Sequence, residues 1–240
     1  MPVAPHDFII LLRVLVDVAK LANDSGKNLK SWFVGRKVLV AGPSRAGKTT
    51  FRNYLREGHL EPERSRPRTS ETDPSKSFAV KSVEGTPLQL EVRSIVDVPG
   101  QHLLEQMEAF ETHRPDAIVL MLDGSMPIDE ISFKPENFSL RQWVETYCEH
   151  LSDILQRDQK LASNLTNIFV ILNKKDKTSP AQLSVLDGEM RNILSSRLRR
   201  GWGSRVDQID ILLCCSVAST EGSVSIDTVI REIARGMKGD

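Results

Sequence analysis

A glycine-rich segment has the composition and spacing of a phosphate-binding loop. Residues 42–49, GPSRAGKT, fit the pattern GxxxxGK[ST]. Its glycines allow the loop to curl so that backbone N–H groups face phosphates, Lys48 supplies a cation for the β- and γ-phosphates, and the Thr49 hydroxyl is a suitable ligand for Mg²⁺. The residues predicted to bind the phosphates are Ser44, Arg45, Ala46, Gly47, Lys48, Thr49 and Thr50.

A second motif, DVPGQ at residues 97–101, suits the metal and the terminal phosphate. The Asp97 carboxylate can hold Mg²⁺ through water. The Gly100 N–H can contact a γ-phosphate oxygen, because glycine has no side chain to obstruct the approach. A DxxG sequence is common in turns and is a weak signal alone, but its position after a phosphate-binding loop makes the signal far stronger.

Two further segments are suited to a guanine base. Residues 173–176, NKKD, fit the pattern NKxD. Asp176 can accept hydrogen bonds from N1–H and the exocyclic amine of guanine, whereas adenine offers no such donor pair on that edge. The Lys174 stem can lie over the base, and a backbone N–H in the turn at Ser216 and Val217 can reach the guanine O6. We therefore predict a guanine site that includes Asn173 with these residues.

The hydrophobic pattern predicts the elements that position these motifs. Apolar runs predict six strands, at 38–41, 78–83, 88–96, 117–122, 168–172 and 209–215. Apolar residues at helical spacing predict helices after the glycine-rich loop and at 140–155, 181–198 and 226–237. Alternating strands and helices indicate an α/β fold, namely a three-layer P-loop NTPase domain with a mostly parallel six-stranded sheet.

Residues 1–36 are predicted to form an N-terminal amphipathic helix and linker before a domain at 37–240. The sequence FIILLRVLVDVAKLA at 8–22 is apolar around most of a helix and is too short and too charged for a transmembrane span. Docking on the domain or self-association is our first interpretation. A position in a membrane surface is the second, and binding in a partner's groove is the third.

Two internal segments lack periodicity. Residues 58–76 are polar and rich in Pro, Arg, Ser and Thr, and we expect them to form a functional loop. Residues 124–138 are predicted to form a loop insertion of unknown role.

The composition excludes some functions. The 240 residues include 32 Lys and Arg and 32 Asp and Glu, so no basic excess favours nucleic acid as a partner. The spacing of Cys148, Cys214 and Cys215 suits neither a zinc site nor a disulfide framework. We expect reduced thiols on opposite faces of a strand at 214–215 and a cytoplasmic location, with membrane association through the N-terminal helix as the alternative.

The motif order GxxxxGKT, DxxG, NKxD and a Ser-containing turn after the last strand resembles the Ras-like small GTPase superfamily over about residues 37–240. GPSRAGKTT and DVPGQ look nearest to the ADP-ribosylation-factor and signal-recognition-particle-receptor-β branches. The resemblance implies a molecular switch that hydrolyses GTP to GDP with Mg²⁺. Gln101 would orient the attacking water, with His102 as the fallback, and Lys48 would assist catalysis.

The resemblance leaves several alternatives open. A pseudo-GTPase that holds nucleotide with little hydrolysis is the alternative function, and a P-loop ATPase or kinase is a third, against which NKKD argues. Thr72 is the expected second Mg²⁺ ligand and Thr69 its rival, which would make Arg66 an arginine finger in cis. The expected partners are an effector at residues 58–76 and 97–113, an activating protein and an exchange protein.

Overall fold

The structure is a computed structural model that describes residues 36–57, 60, 78–80, 90–97, 103–133, 138–217 and 219–236. The predicted N-terminal helix lies outside these residues. Within them the strands are β1 (Arg36–Ala41), β2 (Phe78–Val80), β3 (Leu90–Asp97), β4 (Ala117–Asp123), β5 (Ile131–Phe133), β6 (Phe138–Ser139), β7 (Asn167–Asn173) and β8 (Asp210–Leu213). The helices are α1 (Lys48–Glu57), α2 (Leu103–His113), α3 (Leu140–Arg157), α4 (Gln159–Asn164), α5 (Pro180–Trp202) and α6 (Thr220–Gly236).

The main sheet is mostly parallel. Its strand order is β2-β3-β1-β4-β7-β8, and only β2 pairs antiparallel with its neighbour. The apolar run at 117–122 forms β4, which is buried along its whole length, as a strand covered on both faces must be. The predicted α/β fold with a mostly parallel sheet is confirmed.

The core lies on both faces of this sheet, because successive strand residues point to opposite sides. Leu120 and Leu122 of β4 pack in one cluster with α2, α3 and α5. Val119 and Met121 pack in a second cluster with α1 and α6. The domain therefore has three layers, helices–sheet–helices.

The prediction that residues 124–138 form a plain loop is wrong. β5 and β6 pair antiparallel there, and Ile128 and Phe138 pack against the first core cluster. Arg141 anchors the segment through Asp129, 2.7 Å away, and through Glu189 of α5, 2.8 Å away. Apolar and ionic contacts with the domain thus stabilise a segment whose own sequence has no clear period.

Two helices begin at capping boxes that can be compared with the sequence prediction. The capping box at α3 is confirmed: Ser139 N donates to Gln142 Oε1 (2.9 Å) and Gln142 N donates to Ser139 Oγ (3.2 Å). A second box, Ser179 with Gln182, begins α5 one residue earlier than predicted.

None of the helices in the described ranges is long and apolar enough to cross a bilayer.

The last strand is shorter than the predicted 209–215. β8 ends at Leu213, so Cys214 and Cys215 follow the strand and do not occupy its two faces. The reason is that the backbone turns toward the end of β7: Cys214 N donates to Leu172 O (2.9 Å), and Cys214 O accepts from Lys175 N (3.0 Å).

Candidate nucleotide-binding site

The predicted site residues that the structure describes gather at one edge of the sheet. The carboxyl ends of parallel strands meet at the same edge, which is where open α/β sheets bind ligands. Val40 of β1 lies beside Asp97 of β3, and Asp123 of β4 lies beside Asn173 of β7. The glycine-rich loop, the DVPGQ aspartate and the NKKD segment are therefore neighbours.

The glycine-rich loop has a backbone that requires glycine at two positions. Gly42 has φ 140° and Gly47 has φ 97°, in the range that side chains disfavour. A Cβ on Gly47 would also lie 2.3 Å from Asn173 Nδ2. Arg45 adopts φ 65° although it is not glycine, and its side chain is exposed, so the tight curl of the loop dominates local preference.

Lys48 lies inside the curl of this loop. Its side chain is buried, and Nζ donates to Gly42 O (2.8 Å) and Pro43 O (2.9 Å). These carbonyls hold the ammonium at the start of α1, where the helix dipole adds further positive potential. Thr49 and Thr50 are half-buried in the first turn. The arrangement concentrates donors and positive charge, which is what a polyphosphate requires.

Asn173 joins three of the predicted motifs. Its side chain is fully buried, and Nδ2 donates to Ala46 O (2.9 Å) and to Ser216 Oγ (2.7 Å). Its Oδ1 is also buried and has no hydrogen-bond partner among the described residues. An unpaired buried acceptor is costly, so a polar ligand at this edge would satisfy it.

Lys174 is held by a carboxylate that the sequence reading missed. Lys174 has a left-handed backbone, φ 63°, and its Nζ donates to Asp123 Oδ2 at 2.5 Å. Asp123 is buried and also accepts from the Ser125 N–H (3.0 Å) and hydroxyl (2.6 Å). A charged residue that ends the apolar run AIVLMLD was the available signal.

The rest of the predicted base site lies beside these residues. Asp176 is exposed in the 3₁₀ turn Lys175–Lys177, and Val217 is exposed after β8. The thiol of Cys215 is buried, and its pKa is raised first by that burial and further by the negative charge of Asp176.

A second side chain that the sequence reading missed contacts the glycine-rich loop from α2. Gln106 is fully buried, its Oε1 accepts from Gly42 N (3.0 Å), and its Nε2 donates to Gly42 O (3.1 Å). In the sequence Gln106 is a polar residue in a partly acidic helix, which gives no signal of burial.

Several predicted residues lie outside the described part of the chain and remain predictions. They are Arg66, Thr69, Thr72, Gly100, Gln101 and His102. For Mg²⁺ the described chain shows the place of two predicted ligands, Thr49 in the first turn of α1 and Asp97 at the end of β3. Hydroxyl and carboxylate oxygens are the ligand types that Mg²⁺ prefers, so this donor set fits the ion.

The structure is similar to solved G domains within larger proteins. The translation elongation factor SelB from Methanococcus maripaludis, in complex with the GTP analogue GppNHp, matches with a TM-score of 0.52 and 17% sequence identity over 85% of this chain and 34% of that chain. The bacterial selenocysteine-specific elongation factor EF-Sec matches with a TM-score of 0.51 and 17% identity over 85% of this chain and 29% of that one. This chain therefore spans about a third of the length of these two factors.

No family model matches this sequence, and no curated protein matches it. The sheet order, the curled loop after β1 and the structural matches together define the fold as that of a P-loop GTPase, a G domain.

Proposed function

We propose that this chain binds guanine nucleotide with Mg²⁺ and acts as a molecular switch that hydrolyses GTP to GDP and phosphate. The observation that carries the proposal is Asn173, whose amide joins the phosphate-binding loop, the NKKD segment and the Ser216 turn. Because these are the three segments that a guanine nucleotide must contact together, their union by one buried side chain supports a single nucleotide site.

Each part of the nucleotide has a matching group in this proposal. Lys48 and the amide groups at the start of α1 would neutralise the phosphates, and Asp176 would accept from the guanine edge. Thr49, Asp97 and Thr72 would hold Mg²⁺, which when bound supplies charge neutralisation at the β- and γ-phosphates. Gln101 would orient the attacking water, and Gly100 would contact the γ-phosphate.

The switch would work through the segments at 58–76 and 97–113. Contacts with the γ-phosphate would order them, and its loss on hydrolysis would release them, so that an effector reads the difference. An activating protein and an exchange protein would set the rates of the two transitions.

Nucleotide binding by the full chain tests the proposal first. GTP and GDP should bind with Mg²⁺, and ATP should bind about 10⁴-fold more weakly, because adenine leaves Asp176 unpaired. Lys48→Ala should abolish binding while the circular dichroism spectrum stays native. Asp176→Asn should shift preference toward xanthine nucleotide. Equal binding of GTP and ATP by the wild-type chain would contradict the base assignment.

Phosphate release tests hydrolysis separately. Turnover of GTP, but not of ATP, that falls in Gln101→Leu supports the switch. Tight GTP binding without turnover in the wild-type chain, even at long incubation, would instead favour the binding module with little hydrolysis.

A further inference from the structure

Gly42 is the point at which β1 leaves the sheet, and its peptide groups need new partners. The pairing of β1 with β3 ends at Val40 and Asp97, and its pairing with β4 ends at Ala41 and Leu120. Gly42 is buried, and a buried backbone N–H and C=O left without partners would be destabilising. β4 continues to Asp123, but its pairing with β1 stops at Ala41, one residue before Gly42.

Gln106 supplies those partners from a helix. Its amide oxygen accepts from Gly42 N and its amide nitrogen donates to Gly42 O, at 3.0 and 3.1 Å. This is the two-bond pattern by which two residues pair in an antiparallel ladder. A carboxamide is the uncharged side chain that offers both a donor and an acceptor in this geometry.

The same carbonyl also holds the phosphate-binding lysine. Gly42 O accepts from Lys48 Nζ at 2.8 Å as well as from Gln106. A side chain of α2 and the cation of the phosphate site therefore share one acceptor. Any displacement of α2 changes the hydrogen bonding of the carbonyl on which Lys48 rests.

This contact also fixes one end of the segment that carries Gln101. Asp97, before the segment, is anchored to β1 beside Val40. Gln106, after the segment, is anchored to Gly42, which lies two residues after Val40 in the sequence. Asp97 and Gln106 flank Gly100 and Gln101 in the sequence, so the described residues on both sides of that stretch are attached to residues 40–42.

We propose that Gln106 is a positioning residue that ties α2 to the phosphate-binding loop and thereby aligns the DVPGQ segment for GTP hydrolysis. This inference rests on the proposed function, because it assigns Gln106 a role at that same site. In this proposal Gln106 acts through Gly42 and not through a contact with the nucleotide.

The test compares two methionine variants of the full chain. Gln106→Met keeps the volume and the helix but cannot form the two bonds to Gly42. Gln156→Met, the matched control, makes the same substitution at an exposed position of α3, outside the proposed switch segments. GTP hydrolysis in a single turnover should fall about tenfold or more in Gln106→Met and stay at the wild-type rate in Gln156→Met. The affinity for GDP should change by much less than the hydrolysis rate, because Lys48 keeps its hydrogen bonds to Gly42 O and Pro43 O when the Gln106 amide is lost.

Amide hydrogen exchange supplies a second readout that needs no hydrolysis. In Gln106→Met the amides of Gly42 and of the first turn of α2 should exchange faster, while those of β4 keep their protection. A merely structural role would lower protection throughout the domain.

The outcomes separate this inference from the proposed function. Wild-type hydrolysis together with unchanged exchange at α2 and Gly42 in Gln106→Met would overturn the inference and leave the function standing. Failure of the wild-type chain to bind GTP would overturn the function and, with it, the alignment role. If Gln106→Met does not fold, amide hydrogen exchange in the wild-type protein tests the contact instead. A Gly42 amide that exchanges much faster than the Ala41 amide would rule out its hydrogen bond to Gln106 and overturn the inference.

Discussion

The hydrogen bonds of Asn173 predict the outcome of a double-mutant cycle. Asn173→Ala removes two hydrogen bonds, to Ala46 O and to Ser216 Oγ, whereas Ser216→Ala removes only the second. At about 1 kcal/mol for each bond, the free energy of unfolding should fall by ~2 kcal/mol for Asn173→Ala and ~1 kcal/mol for Ser216→Ala. The double variant should lose ~2 kcal/mol and not 3, because the shared bond can be lost only once.

Urea denaturation of the four proteins measures this coupling directly. The control pairs Asn173→Ala with Ser163→Ala, which removes a hydroxyl on the exposed end of α4 that shares no partner with Asn173. That pair should be additive. An additive result for Asn173 with Ser216, or a stability of Ser216→Ala equal to that of the wild type, would refute the reasoning that one amide holds the two loops together.

Other predictions concern backbone strain, buried hydroxyls and thiols. Gly47→Ala should abolish nucleotide binding and lower the free energy of unfolding by ~1–3 kcal/mol, because φ at this position is 97° and the new Cβ would meet Asn173. Gly188→Ala, the control, lies in open space on α5 and should raise the free energy of unfolding by up to ~1 kcal/mol. Tyr54→Phe removes a buried hydroxyl that donates at 2.6 Å to a carboxylate of α6, which should cost ~2 kcal/mol and lower the melting temperature by ~4–8 °C. Tyr147→Phe should cost nothing in the same melting experiment, because that buried hydroxyl has no hydrogen-bond partner in the described chain; a loss equal to that of Tyr54→Phe would argue against both assignments. At about pH 8 the native protein should react with a thiol reagent only slowly, because burial raises the pKa of each thiol and so lowers the fraction present as thiolate. The reaction rate should increase with pH. In denaturant all the thiols should react. The three thiols are those of Cys148, Cys214 and Cys215, and burial raises the pKa of Cys214 to about 12.

The parts of the site that depend on local sequence could be predicted. The curl at 42–47 needs glycine at its two ends, and NKKD directly follows an apolar run, so both motifs could be located without coordinates. The capping box at Ser139 and Gln142 was predictable for the same reason, since its donors and acceptors lie within one helical turn. The resemblance to Ras-like proteins implied the G-domain fold that the structural matches support.

The parts that depend on tertiary contacts could not be predicted. Gln106 resembles a surface residue until the sheet places Gly42 beside it, and Asp123 is paired only because β4 and β7 are neighbours. The β5–β6 pair was missed because packing on the domain, and not its own periodicity, stabilises it. The end of β8 was misplaced because Cys214 O accepts a hydrogen bond from Lys175 N, in the turn after β7.

The bonds that complete the site join segments that are far apart in the chain, and this has a consequence for biosynthesis. Asn173 reaches Ala46 across 127 positions, and Tyr54 reaches Asp227 across 173. During translation the glycine-rich loop emerges from the ribosome early. The hydrogen bonds that join it through Asn173 to the turn at Ser216 cannot all form until β8 and that turn have left the exit tunnel. A stalled nascent chain that ends before Leu213 should therefore bind no nucleotide, so that occupancy by GTP would report that translation has passed this point.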